Sequence, residues 1–270
     1  MTHFYCKNKN GKVEPRHFVP MAKDPTRTRP SRVTDAKKAA KNGEVWYPSV
    51  TTVLNILDKP ALVNWKVDQH LQTAFEIDRR AFDHGFDAFK QDVKRETQER
   101  MDLAPKAGTD IHQVLEDWVG DRKIPDSEME KLICLKVDAV LEECCGEQFW
   151  LCEEYFAENG YAGCADLIAF REPKGSKDNW VIDYKSKQTA DKFKPGKMQY
   201  PDHVRQLAAY GKALFPDMEF RAANIFICLE SGEVDFCEVD HSKLEDGYLD
   251  FMDCLSIYKR NTYNPDTITD

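Results

Sequence analysis

An α/β fold with a mixed central sheet flanked by helices is predicted for this 270-residue chain on three observations. Helical periodicity dominates from about residue 49 to residue 145. Three apolar runs separated by short turns follow, between residues 147 and 187. Helix, strand, strand and helix then succeed one another to residue 259, and such alternation builds sheets covered by helices.

Residues 1–45 set Pro15, Pro20, Pro25 and Pro30 among many Lys and Arg without a sustained period, so they are read as an irregular, basic extension. In "YPSVTTVLNILDKP", Ser49 is the expected N-cap of a short helix that stops before Pro60. A second helix runs from Pro60 to about Phe75, with proline at its start. "AFDHGFDAFKQDVKRETQERMDLA", "KAGTDIHQVLEDWVG" and "PDSEMEKLICLKVDAVLEECC" are each helical by period. "EQFWLCEEYFA", "GYAGCADLIAF" and "NWVIDYKSK" are strands joined by "ENG" and "REPKGSKD" turns. "YPDHVRQLAAYGKALF" is a helix with Asp202 as expected N-cap. "FRAANIFICLE" and "EVDFCEVD" are strands, and "HSKLEDGYLDFMDCLSIYK" closes as a helix. The expected organisation is an extension over 1–45, one domain over 46–262 (a helical segment 46–101, then a core 102–262) and a tail over 263–270.

Apolar content of 41% and charged content of 31% match a globular chain. No apolar run reaches the roughly 20 residues needed to cross a bilayer, and the N-terminus shows no signal-peptide core, so no membrane partner is expected. Nine cysteines without a C-x-x-C pair suit a reducing compartment, and the cytoplasm (the host's, for a phage protein) is the expected location. The net charge of −9 is uneven: residues 1–43 hold eleven Lys and Arg against three acids, a local +8 that a polyanion would feel. A solvated basic extension is the plainer reading of the same residues.

The strand "NWVIDYKSK" poses the sharpest question, because Asp183 and Lys185 interrupt an apolar run on one face while Ile182 and Tyr184 take the other. An ion pair between the two answers it. So does a metal: Asp166, after the glycine-rich turn of the preceding strand, could meet Asp183 at one end of the sheet. Two facing carboxylates repel unless a cation stands between them, and oxygen ligands suit Mg²⁺ or Mn²⁺. Turn capping is the ordinary role for Asp166. Glu153 or Glu154 could add a third carboxylate, though neighbours on a strand face opposite ways. His112 reads equally as a packing residue of its helix. Gln206 and Tyr210 stand i, i+4 on one helix face.

In order, "GTDIH", a strand glutamate, "GYAGCAD", "DYK" and "QLAAY" resemble the motifs of the RecB-type exonuclease branch of the PD-(D/E)XK nuclease superfamily. The match spans residues 108–210. "PSVTTVLNILDKPALVNWK" is similar to the entry segment of phage-type exonucleases and of the mitochondrial genome maintenance exonuclease, which extends it to about residue 48.

The resemblance implies a restriction-endonuclease-like core and a metal-dependent DNA exonuclease that prefers single-stranded ends. His112, Glu153, Asp166, Asp183 and the Tyr184 carbonyl match metal-binding positions for one or two Mg²⁺ or Mn²⁺ ions. Lys185 matches the catalytic lysine, and Gln206 and Tyr210 the helix pair that orders it and the DNA. Glu153 is preferred to Glu154 because Phe156 follows three positions on. Ser49, Thr51, Lys66, Lys187, Gln206 and Tyr210 are the expected DNA contacts. Ala165 departs from the nominal proline before Asp166. Cys228, Cys237 and Cys254 are too widely spaced for the iron–sulfur site of some relatives, and no P-loop is present, so neither such a cluster nor ATP is expected. A structure-specific or nicking endonuclease on the same core, and a module that binds DNA without cutting it, are the alternatives.

Overall fold

The computed structural model of the chain describes residues 3–8, 10–21, 24–77, 85–170 and 178–267, and the side chains of these except at 61, 102–106 and 109. Residues 81–84 of the third predicted helix, nearly all of the predicted 171–178 turn, and 268–270 of the tail lie outside the described residues. The fold is mixed α/β, as the alternation predicts. Two compact units divide it, Met1–Ile56 with Val114–Asp270, and Leu57–Gln113.

The first unit overturns the irregular reading of residues 1–45. It holds β1 (Phe4–Lys7), β2 (Val13–Pro15), β3 (Phe18–Met21), β4 (Asp24–Pro30) and α1 (Val33–Lys41), followed by β5 (Trp46–Pro48) and α2 (Val50–Leu54). The strands are short and all but β1 end at or contain prolines, so they leave no period to read. β1 pairs antiparallel with both β2 and β5, and β3 pairs with β4. Phe4, Tyr5 and Cys6 are all buried, which is why β1 shows no alternation. At α1, Asp35 accepts from the Arg32 N–H at 2.9 Å and takes both Arg29 guanidinium nitrogens at 2.7 Å. Ser49 caps α2 as expected, accepting from Thr52 N at 3.0 Å.

In the second unit, α3 (Pro60–Glu76) starts at proline, and Glu76 pairs with Arg100 of α4 (Phe86–Asp121). Two helices are predicted where α4 runs unbroken through Pro105 and Gly108. Residues of α4 up to Gln113 belong to this unit.

From residue 114 the chain rejoins the first unit. α5 (Glu128–Cys145) is capped by Ser127. The main sheet follows with β6 (Trp150–Glu158), β7 (Tyr161–Ala169), β8 (Asn179–Lys187), α6 (Pro201–Leu214), β9 (Phe220–Cys228), β10 (Val234–Glu238) and α7 (His241–Asn261). Its order is β10-β9-β8-β7-β6. The β6-β7-β8 meander is antiparallel, β8 and β9 are parallel, and β9 and β10 are antiparallel. The parallel pair requires a crossover, which α6 supplies. Tyr200, not Asp202, is the N-cap of α6: Pro201 fixes the first helical position, and Asp202 instead pairs with Arg205.

Trp180, Val181 and Ile182 of β8 and Ala222, Ala223 and Ile225 of β9 are fully buried, which makes these strands the centre of the core. Leu207, Ala208 and Ala209 let α6 lie close to the sheet. Gly211 allows the tightest approach, since a Cβ there would fall 2.0 Å from the Phe220 ring. Among the described residues no helix is long and apolar enough to cross a membrane.

His17 stacks on His3 with ring centroids 4.5 Å apart, and burial followed by the His3 neighbour pushes its pKa from about 6.5 down to about 4. The fold therefore favours the neutral ring. That stability is whole above about pH 6.5 and is lost as the pH falls toward 4. Urea unfolding midpoints measured across this window should fall for the wild type and fall less for His17→Gln; parallel profiles would contradict the assignment.

Candidate functional site

The site grows out of strand register in the first unit. Cys152 faces Leu167 and Glu154 faces Ala165, so Glu153 stands opposite Asp166. Leu167 faces Ile182 in the last pair of the β7–β8 register, which leaves Asp166 and Asp183 as the next residue on each strand. There the ladder between β7 and β8 ends, and the Tyr184 N–H donates to Asp166 Oδ2 at 2.6 Å. A side-chain carboxylate thus takes a hydrogen bond that would otherwise go to a strand carbonyl.

Asp183 is only 3% exposed. Its Oδ1 accepts from Gln206 Nε2 at 2.9 Å, and its Oδ2 accepts from Asn224 Nδ2 at 3.0 Å and pairs with the Lys185 ammonium. Gln206 ties the group together: its Oε1 accepts from Lys185 Nζ at 3.2 Å and its Nε2 donates to the Tyr210 hydroxyl at 2.9 Å. Tyr210 is packed between Phe156 and Gly163; a Cβ on Gly163 would lie 2.7 Å from Phe156 and 2.8 Å from Tyr210. The glycine of "GYAGCAD" is therefore a packing requirement. The ion-pair reading of Asp183 and Lys185 is thus present in the structure.

Glu153 carries a backbone φ of 51°, in the left-handed region that a residue with a Cβ seldom adopts. Strain of this kind costs roughly 1–3 kcal/mol and gathers at functional sites. The Glu153 carboxylate accepts from the Cys164 thiol at 3.0 Å. Burial first, then Glu153 and Asp166, hold that thiol protonated well above its ordinary range. Tyr155 is pushed up to about 12 by burial, with Cys164 and Glu153 adding to it. A strand glutamate, a thiol and a tyrosine thus share one negative neighbourhood.

The structure brings together Asp166, Asp183, Tyr184, Lys185, Gln206 and Tyr210, with Glu153 across the strand from Asp166. His112 is half-buried on α4 in the Leu57–Gln113 unit, as exposed Lys66 is on α3 in that same unit. Among the described residues no group of three or more His, Cys, Asp or Glu is gathered to hold an ion. Ser49 is 4% exposed and its hydroxyl is spent on the Thr52 N–H, so it serves as a cap where a DNA contact is expected. Thr51 is exposed on α2, and Lys187 is half-buried at the end of β8.

Asn224 was not foreseen. It is fully buried in β9 beside Asp183, in parallel register with it, and its Oδ1 accepts from Gln199 at 3.3 Å. Its signal in the sequence is the one that marks Asp183, a polar residue inside the apolar run "AANIFIC". The Glu153 conformation had no such signal, because no glycine marks it.

No family model and no curated protein matches the chain. Among solved structures it is similar to the crystal structure of SSO0001, at a TM-score of 0.25 and 18% identity, over 44% of this chain and 55% of that one. The chain thus spans about half the length of that protein, and a likeness at this level says nothing of activity.

Removing the Asn224 amide leaves a buried carboxylate oxygen short of a donor, a loss of about 1–3 kcal/mol. Asn224→Ala should lower the free energy of unfolding by that amount in urea titration; an unchanged value would show that Asn224 does not support Asp183.

Proposed function

We propose that the chain is a metal-dependent DNA exonuclease of the PD-(D/E)XK type, acting on phosphodiester bonds with a preference for single-stranded ends. One observation carries the reading: Asp166 and Asp183 follow the last paired position on adjacent strands, Asp166 accepts from the N–H of Tyr184 next to Asp183, and Lys185 is paired with Asp183 and bound to Gln206. The order of the five sequence motifs supports it independently. No residue outside the first unit is needed for this arrangement.

The donor chemistry fits a hard divalent cation, since Asp166, Asp183 and Glu153 present only carboxylate oxygens. These residues would hold Mg²⁺ or Mn²⁺, which supplies a more acidic bound water and a polarised phosphoryl oxygen. The chain's own groups do the rest. Lys185 carries a positive charge at the mouth of a buried carboxylate, where it can stabilise negative charge building on a phosphate. Gln206 fixes that ammonium through its carbonyl and fixes Asp183 through its amide, so one side chain sets the spacing of acid and base. Tyr210 holds the Gln206 amide in turn. Burial in a low-dielectric sheet makes each of these charges count for more than it would in water.

A DNA-binding module without catalysis is the second reading. It is favoured by the saturation of Asp183, whose two oxygens are taken by Gln206, Asn224 and Lys185.

Purified wild-type chain with Mn²⁺ should shorten an end-labelled single-stranded oligonucleotide, stop when EDTA is added, and leave a closed circular single strand intact. Asp183→Ala and Lys185→Ala should each lower the rate by about 100-fold or more while oligonucleotide binding is largely kept. Binding without cleavage by the wild type would favour the second reading, and cutting of the circle would identify an endonuclease.

A further inference from the structure

Beside the Asp183–Lys185 pair lie a lysine and a tyrosine that take no part in it. Lys187 is two residues beyond Lys185 on β8, so the two side chains leave the strand on the same side. Among the described residues Lys187 makes no ion pair; its Nζ stands 5.7 Å from the centre of the Tyr200 ring and 5.9 Å from that of Phe226. Burial first, and then the Lys185 and Lys192 charges, hold its ammonium below the usual lysine range. Lys192 is exposed.

Tyr200 precedes α6 and is 56% exposed, with its ring edge-on to His203 at 5.3 Å. On its flank opens a cavity of about 300 Å³ whose walls include Tyr200, Val204, Arg205, Lys243, Asp246 and Asp250. Its cations are already matched, Arg205 by Asp202 and Asp250 and Lys243 by Asp240. The cavity therefore offers a phosphate little net charge, but it offers an uncharged ring a polar wall and an aromatic edge.

We propose that Tyr200 and Lys187 form a nucleotide seat for single-stranded nucleic acid. A base stacks on the Tyr200 ring toward the cavity, and the phosphate backbone passes Lys187 on its way to Lys185. The inference deepens the nuclease reading and rests on it for the direction in which the strand runs. Stacking on an aromatic side chain accepts any base, which suits a seat next to the reaction rather than a reader of sequence.

The test is fluorescence anisotropy of a labelled oligo-dT on the full chain in EDTA, over a salt series. Tyr200→Ala and Tyr200→Leu should weaken binding by about 5- to 150-fold, while Tyr200→Phe stays near the wild type. Lys187→Gln should weaken binding and flatten the salt dependence by about one phosphate contact. If Tyr200→Ala binds as tightly as a wild type that cleaves DNA in Mn²⁺, the seat is wrong and the nuclease reading stands. If the wild type neither binds nor cleaves, both fall.

Discussion

A carboxylate sealed inside a sheet has to be compensated, and Asp183 imposes that demand on everything around it. An isolated buried charge costs several kcal/mol even after the protein relaxes. Compensation reaches Asp183 by three routes that the topology makes possible. The parallel partner β9 brings Asn224 alongside, the crossover helix α6 brings Gln206 above, and two residues along β8 the chain itself brings Lys185. Antiparallel β7 meanwhile brings a second carboxylate, Asp166, to the next residue of β8, where it accepts from the Tyr184 N–H. The mixed order of the sheet is thus the arrangement that lets an acid be buried there at all.

The same compensation explains why the cluster suits chemistry. A salt bridge between well-packed apolar neighbours is a poor source of stability, since apolar residues of similar volume often do as well. Two acids, a lysine and a tethered glutamine within a few residues of one another are the groups on which the proposed cation and phosphate chemistry rests. The left-handed Glu153 points the same way, as local strain held in place by the surrounding strands. The basic N-terminal residues contribute less to a DNA path than their count suggests. Lys7, Arg16 and Arg29 are already paired with Glu158, Glu14 and Asp35.

What the sequence disclosed was what repeats or interrupts a repeat. The β6-β7-β8 meander, α6 and α7 were legible because each has a sustained period bounded by turn residues. Asp183 and Lys185 were legible because they break one. The strands over residues 4–30 were not, since three to seven residues broken by proline carry no period and their burial is set by partners far along the chain. The division of α4 failed for a related reason: Pro105 and Gly108 are strong local breakers, and tertiary context overrode them. Asn224 carried a visible signal, but its meaning depended on knowing that β8 and β9 lie side by side in parallel.

Manganese binding to the full chain, followed by electron paramagnetic resonance without DNA, tests the central claim most directly. A site shared by Asp166 and Asp183 predicts Mn²⁺ binding that the wild type shows, and that Asp166→Asn and Asp183→Asn each weaken by about tenfold or more. Equal Mn²⁺ affinity in all three proteins would contradict it, and would leave the cluster as a buried ion pair and nothing further.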